Sequence, residues 1–176
     1  MVRDIVVVED ARLRTKCPRV PRIDDFVRHL IDDMVDTMRD APGIGLAAPQ
    51  VGVLLRVIVC EVDENLHVLV NPEIVRAEGE QVADEGCLSI PGYLGEVKRA
   101  MKVVVKGKNR NGKDVRIKAE GLLARCFQHE IDHVDGVLFT DRLTDPKTFR
   151  KVELREAEDL AEGGEEPQAA EEPLAV

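Results

Sequence analysis

The chain has 176 residues, a length that fits one domain with a sizeable hydrophobic core. Hydrophobic residues make up 44% and charged residues 34%, as is typical of a soluble globular protein. No apolar run approaches the roughly 20 residues of a membrane-spanning helix, and Ile5 to Val8 is too short for a signal peptide. We therefore expect a cytoplasmic protein without a membrane segment.

The net charge of -9 is concentrated at the C-terminus. Residues 156–176 contain eight acidic residues and no basic one, so the first 155 residues together carry only -1. Such a chain has no basic stripe of the kind that binds DNA. We expect a single folded domain over residues 1–162 and an acidic, disordered tail over residues 163–176.

The four cysteines do not form a CxxC pair, and a cytoplasmic chain rarely uses scattered cysteines as disulfides. Each is by default a small buried hydrophobe. They are Cys17, Cys60, Cys87 and Cys126.

An amphipathic helix is predicted over residues 24–40, with Asp24 as its N-cap and Pro42 and Gly43 at its end. Strands are predicted over Leu54 to Val62 and Leu66 to Val70. The segments Met101 to Lys106 and Asp114 to Lys118 resemble a hairpin joined through Asn109-Arg110-Asn111-Gly112, in which Asn-Gly suits a tight turn.

A second helix is predicted over residues 120–134, with Gly136 just past its end, and a third over residues 146–162, opened by Pro146. This order indicates an α+β fold, with mostly antiparallel sheets around the second helix and a helix near each terminus.

The stretch QHEIDH lies on the second predicted helix. His129 and His133 are four residues apart, so both imidazoles project from one face and can reach a single metal ion. Glu130 lies about 100° round the helix axis, where it can contact a water on that metal. This HExxH pattern supplies two ligands and a general base for hydrolysis.

A catalytic site of this kind uses about three protein ligands, and the residues alone leave the third open. Phe139 stands where the HExxHxxGxxH peptidases have a third histidine. Glu153, 20 residues after His133, has the spacing of the glutamate ligand in another class of zinc peptidases. The other candidate is Cys87, which we expect in an irregular segment rather than in a buried strand.

Three segments resemble the three signature motifs of peptide deformylase, in the family's order. GIGLAAPQ (residues 43–50) matches GxGLAAxQ, EGCLS (85–89) matches the second motif, and QHEIDHVDG (128–136) matches the third. Val134 departs from the leucine that is usual in the third motif. Together the segments cover about 22 residues, and three matches in order make a coincidence very improbable.

The resemblance implies that Cys87, His129 and His133 bind one divalent metal with water as the fourth ligand. Glu130 would be the acid/base residue, and the Gln50 side chain and the Leu88 N–H would stabilise the oxyanion. The implied metal is Fe(II) in cells, although one thiolate and two imidazoles also suit Zn(II), Ni(II) or Co(II). The implied reaction removes the N-formyl group from the initiator methionine of new polypeptides.

The resemblance also implies that the substrate lies extended beside Gly45 and pairs through its main chain. We expect Ile44, Leu122 and Cys126 to line the methionine pocket, and we leave the neighbouring Arg125 without a role.

The implied partner is the nascent N-formylmethionyl peptide, bound by a monomer. Any transient ribosome contact would avoid the acidic segment 156–176, because phosphate would repel it. An HExxH peptidase and a catalytically idle binder of modified N-termini are the alternatives.

Overall fold

The computed structural model describes residues 1–152 and 174–175, which form two α-helices and nine β-strands. The helices are α1 (Asp25–Asp40) and α2 (Gly121–Val134). The strands are β1 (Gly45–Ala47), β2 (Val57–Val62), β3 (Asn65–Glu78), β4 (Gln81–Cys87), β5 (Ile90–Arg99), β6 (Lys102–Lys108), β7 (Asp114–Glu120), β8 (Arg150–Lys151) and β9 (Leu174–Ala175).

The strands form two sheets, one with the order β1-β2-β3-β6-β7 and one with the order β8-β5-β4-β9. Neighbouring strands are antiparallel except β4 and β9, which run parallel. The predicted α+β class with mostly antiparallel sheets is therefore confirmed.

Both predicted helices that carry clear periodicity form close to their expected bounds. Asp24 caps α1 as predicted, since its carboxylate accepts a hydrogen bond from the Val27 N–H at 3.0 Å. Gly136 follows α2 with a φ of 77°, a left-handed conformation that glycine adopts without strain. A Cβ at Gly136 would also lie 2.8 Å from the Arg14 backbone, so this position requires glycine for two reasons.

Strand β2 lies between the two helices, which explains its continuous apolar sequence. Val57 and Val59 belong to the core cluster that includes the apolar face of α1. Ile58 and Cys60, on the opposite face of the strand, pack in the cluster that includes α2. A strand that is buried on both faces reads as an unbroken apolar run rather than an alternating one.

The predicted hairpin is confirmed as β6 and β7, which pair from Lys102↔Glu120 to Lys108↔Asp114. Its turn is closed by the Gly112 N–H, which donates to the Asn109 carbonyl at 2.9 Å. The hairpin between β4 and β5 was not predicted. Its strands are joined through Leu88 and Ser89, with Cys87 paired to Ile90.

The expectation for Cys87 was therefore wrong in one respect. This residue is not in an irregular segment but is the last residue of β4, and it is buried. The sequence QVADEGC is polar and does not indicate a buried strand. The strand can be buried because the carboxylate of Glu85 binds buried arginines rather than water.

The predicted third helix is wrong over the part that the structure describes. Pro146–Thr148 form a single 3₁₀ turn, capped by the Asp145 carboxylate, and Arg150–Lys151 form a strand beside β5. Phe149 stacks on Tyr93 with ring centroids 5.0 Å apart, which holds this segment extended along β5. Residues 153–162 of that prediction lie outside the described residues.

Most of the predicted tail, residues 163–176, also lies outside the described residues. Leu174 and Ala175 are described, and they pair with Glu85 and Gly86 of β4. Neither helix of the described residues is long and apolar enough to cross a membrane.

Candidate metal centre

Helix α2 and the end of β4 bring three predicted ligands together. Cys87, His129 and His133 each offer one ligand atom, and these atoms all lie within 4.8 Å of one another. The Cys87 Sγ is 3.3 Å from the His133 Nε2. All three side chains are buried, at 4%, 1% and 1% exposure, so the cluster lies inside the protein and not on a solvated helix face.

Polar atoms without partners surround this cluster. Within the described part of the chain, His129 Nε2, His133 Nδ1 and both carboxylate oxygens of Glu130 are buried and make no hydrogen bond. Buried polar atoms are nearly always paired in native proteins. One thiol and two imidazoles around a common point are a donor set that fits a divalent transition metal.

The electrostatics of the site follow from its burial. Burial raises the pKa of the Cys87 thiol to about 12 and lowers the pKa of His133 well below its usual value. The pKa of Glu130 is raised well above its usual range, first by burial and then by the negative charge of Glu85. A bound cation would offset the cost at Cys87, since a coordinating thiol loses its proton.

Glu85 holds His129 in position. The Glu85 Oε1 is 2.8 Å from His129 Nδ1, which leaves Nε2 directed at the cluster. Arg99 donates two hydrogen bonds of 2.9 Å to the same carboxylate, from Nε and Nη2. Burial opposes ionisation of Glu85, but the hydrogen bonds from Arg99 and His129 outweigh it and hold the pKa of Glu85 below its usual value.

The network continues to the surface through Asp132. The Asp132 carboxylate accepts from Arg99 Nη1 at 2.6 Å and from Arg142, whose Nε and Nη2 donate at 2.6 Å and 2.9 Å. Asp132 precedes His133 on α2, so these arginines tie the ligand-bearing helix to β5 and to the segment after α2.

The Gln50 side chain is anchored with its amide directed at the cluster. Its Oε1 accepts from the Ala47 N–H at 2.9 Å, and its Nε2 lies 3.2 Å from Ser89 Oγ and 3.7 Å from Cys87 Sγ. Gln50 is fully buried in a 3₁₀ turn. Leu88, whose N–H was also predicted to act here, lies in the turn that joins β4 to β5.

The three sequence motifs are in direct contact. A Cβ built on Gly45 would lie 2.5 Å from Glu130 Oε1 and 2.7 Å from Cys126 Sγ. A Cβ on Gly43 would lie 2.7 Å from the Leu88 side chain. The first motif therefore packs against the other two so closely that a side chain at either position would have to displace a neighbouring side chain.

Two of the three predicted pocket residues lie together. The Cys126 thiol donates to the Ile44 carbonyl at 3.4 Å, beside Glu130. Leu122, one turn earlier on α2, lines a surface cavity of about 280 Å³ that also contains His67. Arg125, which had no predicted role, points instead to Glu85.

Sequence reasoning gave no role to the buried partners Glu85, Arg99 and Asp132. One signal was present for Glu85, because it lies two residues before Cys87 in the second motif. The alternative ligand Glu153 lies outside the described residues, whereas Cys87 is placed at the two histidines.

A family model described as Polypeptide deformylase matches residues 2–149. Peptide deformylase of Thermomicrobium roseum is 51% identical over 166 residues, covering 89% of this chain and 94% of the relative. Peptide deformylase of Halothermothrix orenii is 54% identical over 144 residues, covering 81% and 94%.

Solved structures agree with this match. The crystal structure of a peptide deformylase from Legionella pneumophila has a TM-score of 0.80 and 49% identity, covering 84% of this chain and 89% of that chain. One from Synechococcus elongatus, in complex with actinonin, has a TM-score of 0.80 and 46% identity, covering 89% and 84%. This chain therefore belongs to the peptide deformylase family, enzymes that remove the formyl group from nascent peptides.

Proposed function

We propose that this chain deformylates N-formylmethionyl peptides at a single divalent metal held by Cys87, His129 and His133. The observation that carries the proposal is the convergence of these three ligand atoms within 4.8 Å, in a buried site beside Glu130. When bound, the metal would supply Lewis acidity and activate a water for attack on the formyl carbon.

Fe(II) is the metal that we propose for the protein in cells. A site with one soft thiolate and two imidazoles also accepts Zn(II), Ni(II) or Co(II), so the ligand types alone do not select among them. The placement of the Cys87 sulfur with the two histidines supports its ligand role, and its burial, at 4% exposure, shields it from solvent oxidants.

Glu130 is the proposed general acid and base. It lies on α2 between the two histidine ligands, and both of its carboxylate oxygens lack a partner among the described residues. It can therefore accept the proton of the attacking water and return it to the leaving amine. The contact with Gly45 fixes where this carboxylate sits.

Gln50 and Leu88 are the proposed oxyanion donors. The Gln50 amide is already oriented, because its oxygen is anchored on the Ala47 N–H while its Nε2 faces Cys87 and Ser89. Leu88 supplies a backbone N–H from the adjacent turn. A donor fixed before the reaction costs no reorganisation when charge develops, and one such donor is typically worth about 3 kcal/mol.

The proposed substrate lies extended beside Gly45, with its methionine side chain near Ile44, Leu122 and Cys126. Main-chain pairing recognises few side chains beyond the first residue, which suits an enzyme that processes many N-termini. The 3.4 Å contact between Cys126 and Ile44 beside Glu130 supports the pocket position.

Further parts of the proposal concern the protein's setting. We place the enzyme in the cytoplasm as a monomer of one catalytic domain over residues 1–162, acting on nascent peptides with transient ribosome contact. The acidic segment 156–176 does not take part in that contact, because its eight carboxylates would be repelled by phosphate.

The test is formate release from formyl-Met-Ala-Ser by protein purified without oxygen. Acetyl-Met-Ala-Ser and a peptide with only internal amide bonds are assayed in parallel. Rapid formate release, little acetate and no internal cleavage are expected. Internal cleavage without formate would contradict the proposal in favour of an HExxH peptidase, and no turnover with metal bound would contradict it in favour of an idle binder.

A further inference from the structure

Arg125 is a buried arginine on the ligand-bearing helix. It precedes His129 by one turn of α2, so both side chains project from the same face. Its side chain is 3% exposed, and its Nη1 donates to Glu85 Oε2 at 2.5 Å. The guanidinium also donates to the Val97 carbonyl at 3.1 Å and to the Gln81 carbonyl at 3.4 Å.

These contacts complete the set of donors around the Glu85 carboxylate. Oε1 is bound by His129 Nδ1 and Arg99 Nη2, and Oε2 by Arg99 Nε and Arg125 Nη1. A carboxylate offers about four lone-pair sites, so the four N–H groups fill it. With every site occupied, Glu85 cannot rotate without breaking a charge-assisted hydrogen bond.

The two arginines differ in what else they bind. Arg99 is shared between two acids, because its Nη1 donates to Asp132 at 2.6 Å while its other nitrogens bind Glu85. Among the described residues, the carboxylate that Arg125 contacts is Glu85, and its other contacts are backbone carbonyls of β4 and β5. Arg125 therefore anchors the oxygen of Glu85 that does not touch His129.

We propose that Arg125 is a positioning residue for the metal ligand His129 and acts on it through Glu85. Arg125 is bound to carbonyls of β4 and β5 and donates to Glu85 Oε2, so it restricts rotation of the Glu85 carboxylate. This keeps Oε1 at His129 Nδ1, and the imidazole Nε2 then points at the metal position. The inference rests on the proposed role of His129 as a ligand. It assigns a chemical function to a buried charge on the helix face that also carries His129.

The experiment compares Arg125→Met, which keeps the length of the side chain, with Arg125→Lys, which keeps a cationic donor. Arg56→Met is the matched control. Arg56 is also largely buried and bonded to α2, through the Val134 carbonyl at 3.1 Å, but it has no contact with Glu85. Each protein is loaded with Co(II), its absorption spectrum is recorded, and loss of cobalt to a chelator is timed.

Arg125→Met is expected to lose cobalt about 10-fold faster than the unmodified protein, because mutating a ligand's hydrogen-bond partner typically costs 10–100-fold in metal affinity and Arg125 acts through that partner. Its cobalt spectrum is expected to shift, and kcat to fall with KM unchanged. Arg125→Lys is expected to recover most of the slow cobalt loss. Arg56→Met is expected to lower Tm while leaving the spectrum and cobalt loss unchanged.

Unchanged cobalt loss and spectrum in Arg125→Met, with a lowered Tm, would overturn the inference and leave Arg125 as a link between helix and sheet. If Arg125→Met does not fold, Arg125→Gln takes its place with the same expectations and the same contradicting result. Failure of the unmodified protein to bind cobalt with a thiolate band would instead contradict the metal site itself.

Discussion

Gly45 lies against the carboxylate of Glu130, where a Cβ would approach Oε1 to 2.5 Å. The first motif thus limits where the carboxylate of the proposed acid/base residue can lie, in addition to any role beside the substrate. Since Cys126 Sγ lies 2.7 Å from the same point, an added methyl group cannot be accommodated by moving Glu130 alone.

We expect Gly45→Ala to lower kcat on the order of 100-fold, because displacing a catalytic group by about 1 Å can cost that much. Overpacking should also destabilise the fold by about 1–3 kcal/mol. Steady-state formate release and thermal unfolding measure the two effects. Gly43→Ala is the comparison, since its Cβ would meet the movable end of Leu88 and should cost less. Equal losses in both variants would contradict this account.

Cys87→Ser is expected to release the metal. A hydroxyl is a poor substitute for thiolate, so the affinity should fall by more than the roughly 10–100-fold that loss of a ligand's hydrogen-bond partner costs. Metal content after dialysis against a chelator measures this directly. Glu153→Gln, examined in parallel, is expected to retain its metal. The reverse pattern would identify Glu153 as the third ligand and exclude Cys87.

Glu130→Gln is expected to retain the metal and lose turnover. The amide keeps the size of the side chain but cannot accept a proton, so kcat should fall by about 10²–10⁴-fold. Formate release is measured at matched metal content. Glu73→Gln, which changes an exposed acid on β3, serves as the control and should be unaffected. Turnover within about 3-fold of the unmodified enzyme would remove Glu130 from the mechanism.

Air is expected to inactivate the iron-loaded enzyme but not the zinc-loaded one. Fe(II) oxidises, and the Cys87 sulfur can follow it to oxidised forms, whereas zinc has no redox chemistry. Activity is followed during exposure to air and peroxide, and the mass of the peptide that contains Cys87 reports its oxidation. Iron-loaded protein that keeps full activity after prolonged exposure would refute this expectation.

Deletion of residues 156–176 is expected to leave ribosome affinity unchanged or slightly higher. The segment carries eight acidic residues and no basic one, so it opposes binding to phosphate. Cosedimentation with ribosomes at two salt concentrations measures the effect, with deformylation of the free peptide as a check on the catalytic domain. A large loss of binding would show that the segment is part of the contact.

Local patterns in the sequence were sufficient for the parts of the fold and site that depend on neighbouring residues. The 3.6-residue period fixed α1 and α2, and Asp24 and Gly136 fixed their ends. The four-residue spacing of His129 and His133 placed two ligands on one face before any tertiary contact was known.

Elements built from non-local contacts were missed. Strand β4 is polar in sequence, so its burial could not be predicted from the local pattern. Its burial depends on Glu85, which binds Arg99, His129 and Arg125, residues 14 to 44 positions away in the chain. Likewise, Pro146 suggested a helix, whereas pairing with β5 and the stacking of Phe149 on Tyr93 produced a turn and a strand. Tertiary pairing overrides local propensity at such places.

The sequence alone determined which residues could bind a metal and, through three motifs in order, the family. Only the tertiary structure placed Cys87 beside the two histidines and Gly45 against Glu130. The physical reason is that a residue's type and its local spacing reside in the chain itself. By contrast, the burial that leaves Glu130 without a partner among the described residues, and that surrounds Glu85 with arginines, arises only when distant segments pack together.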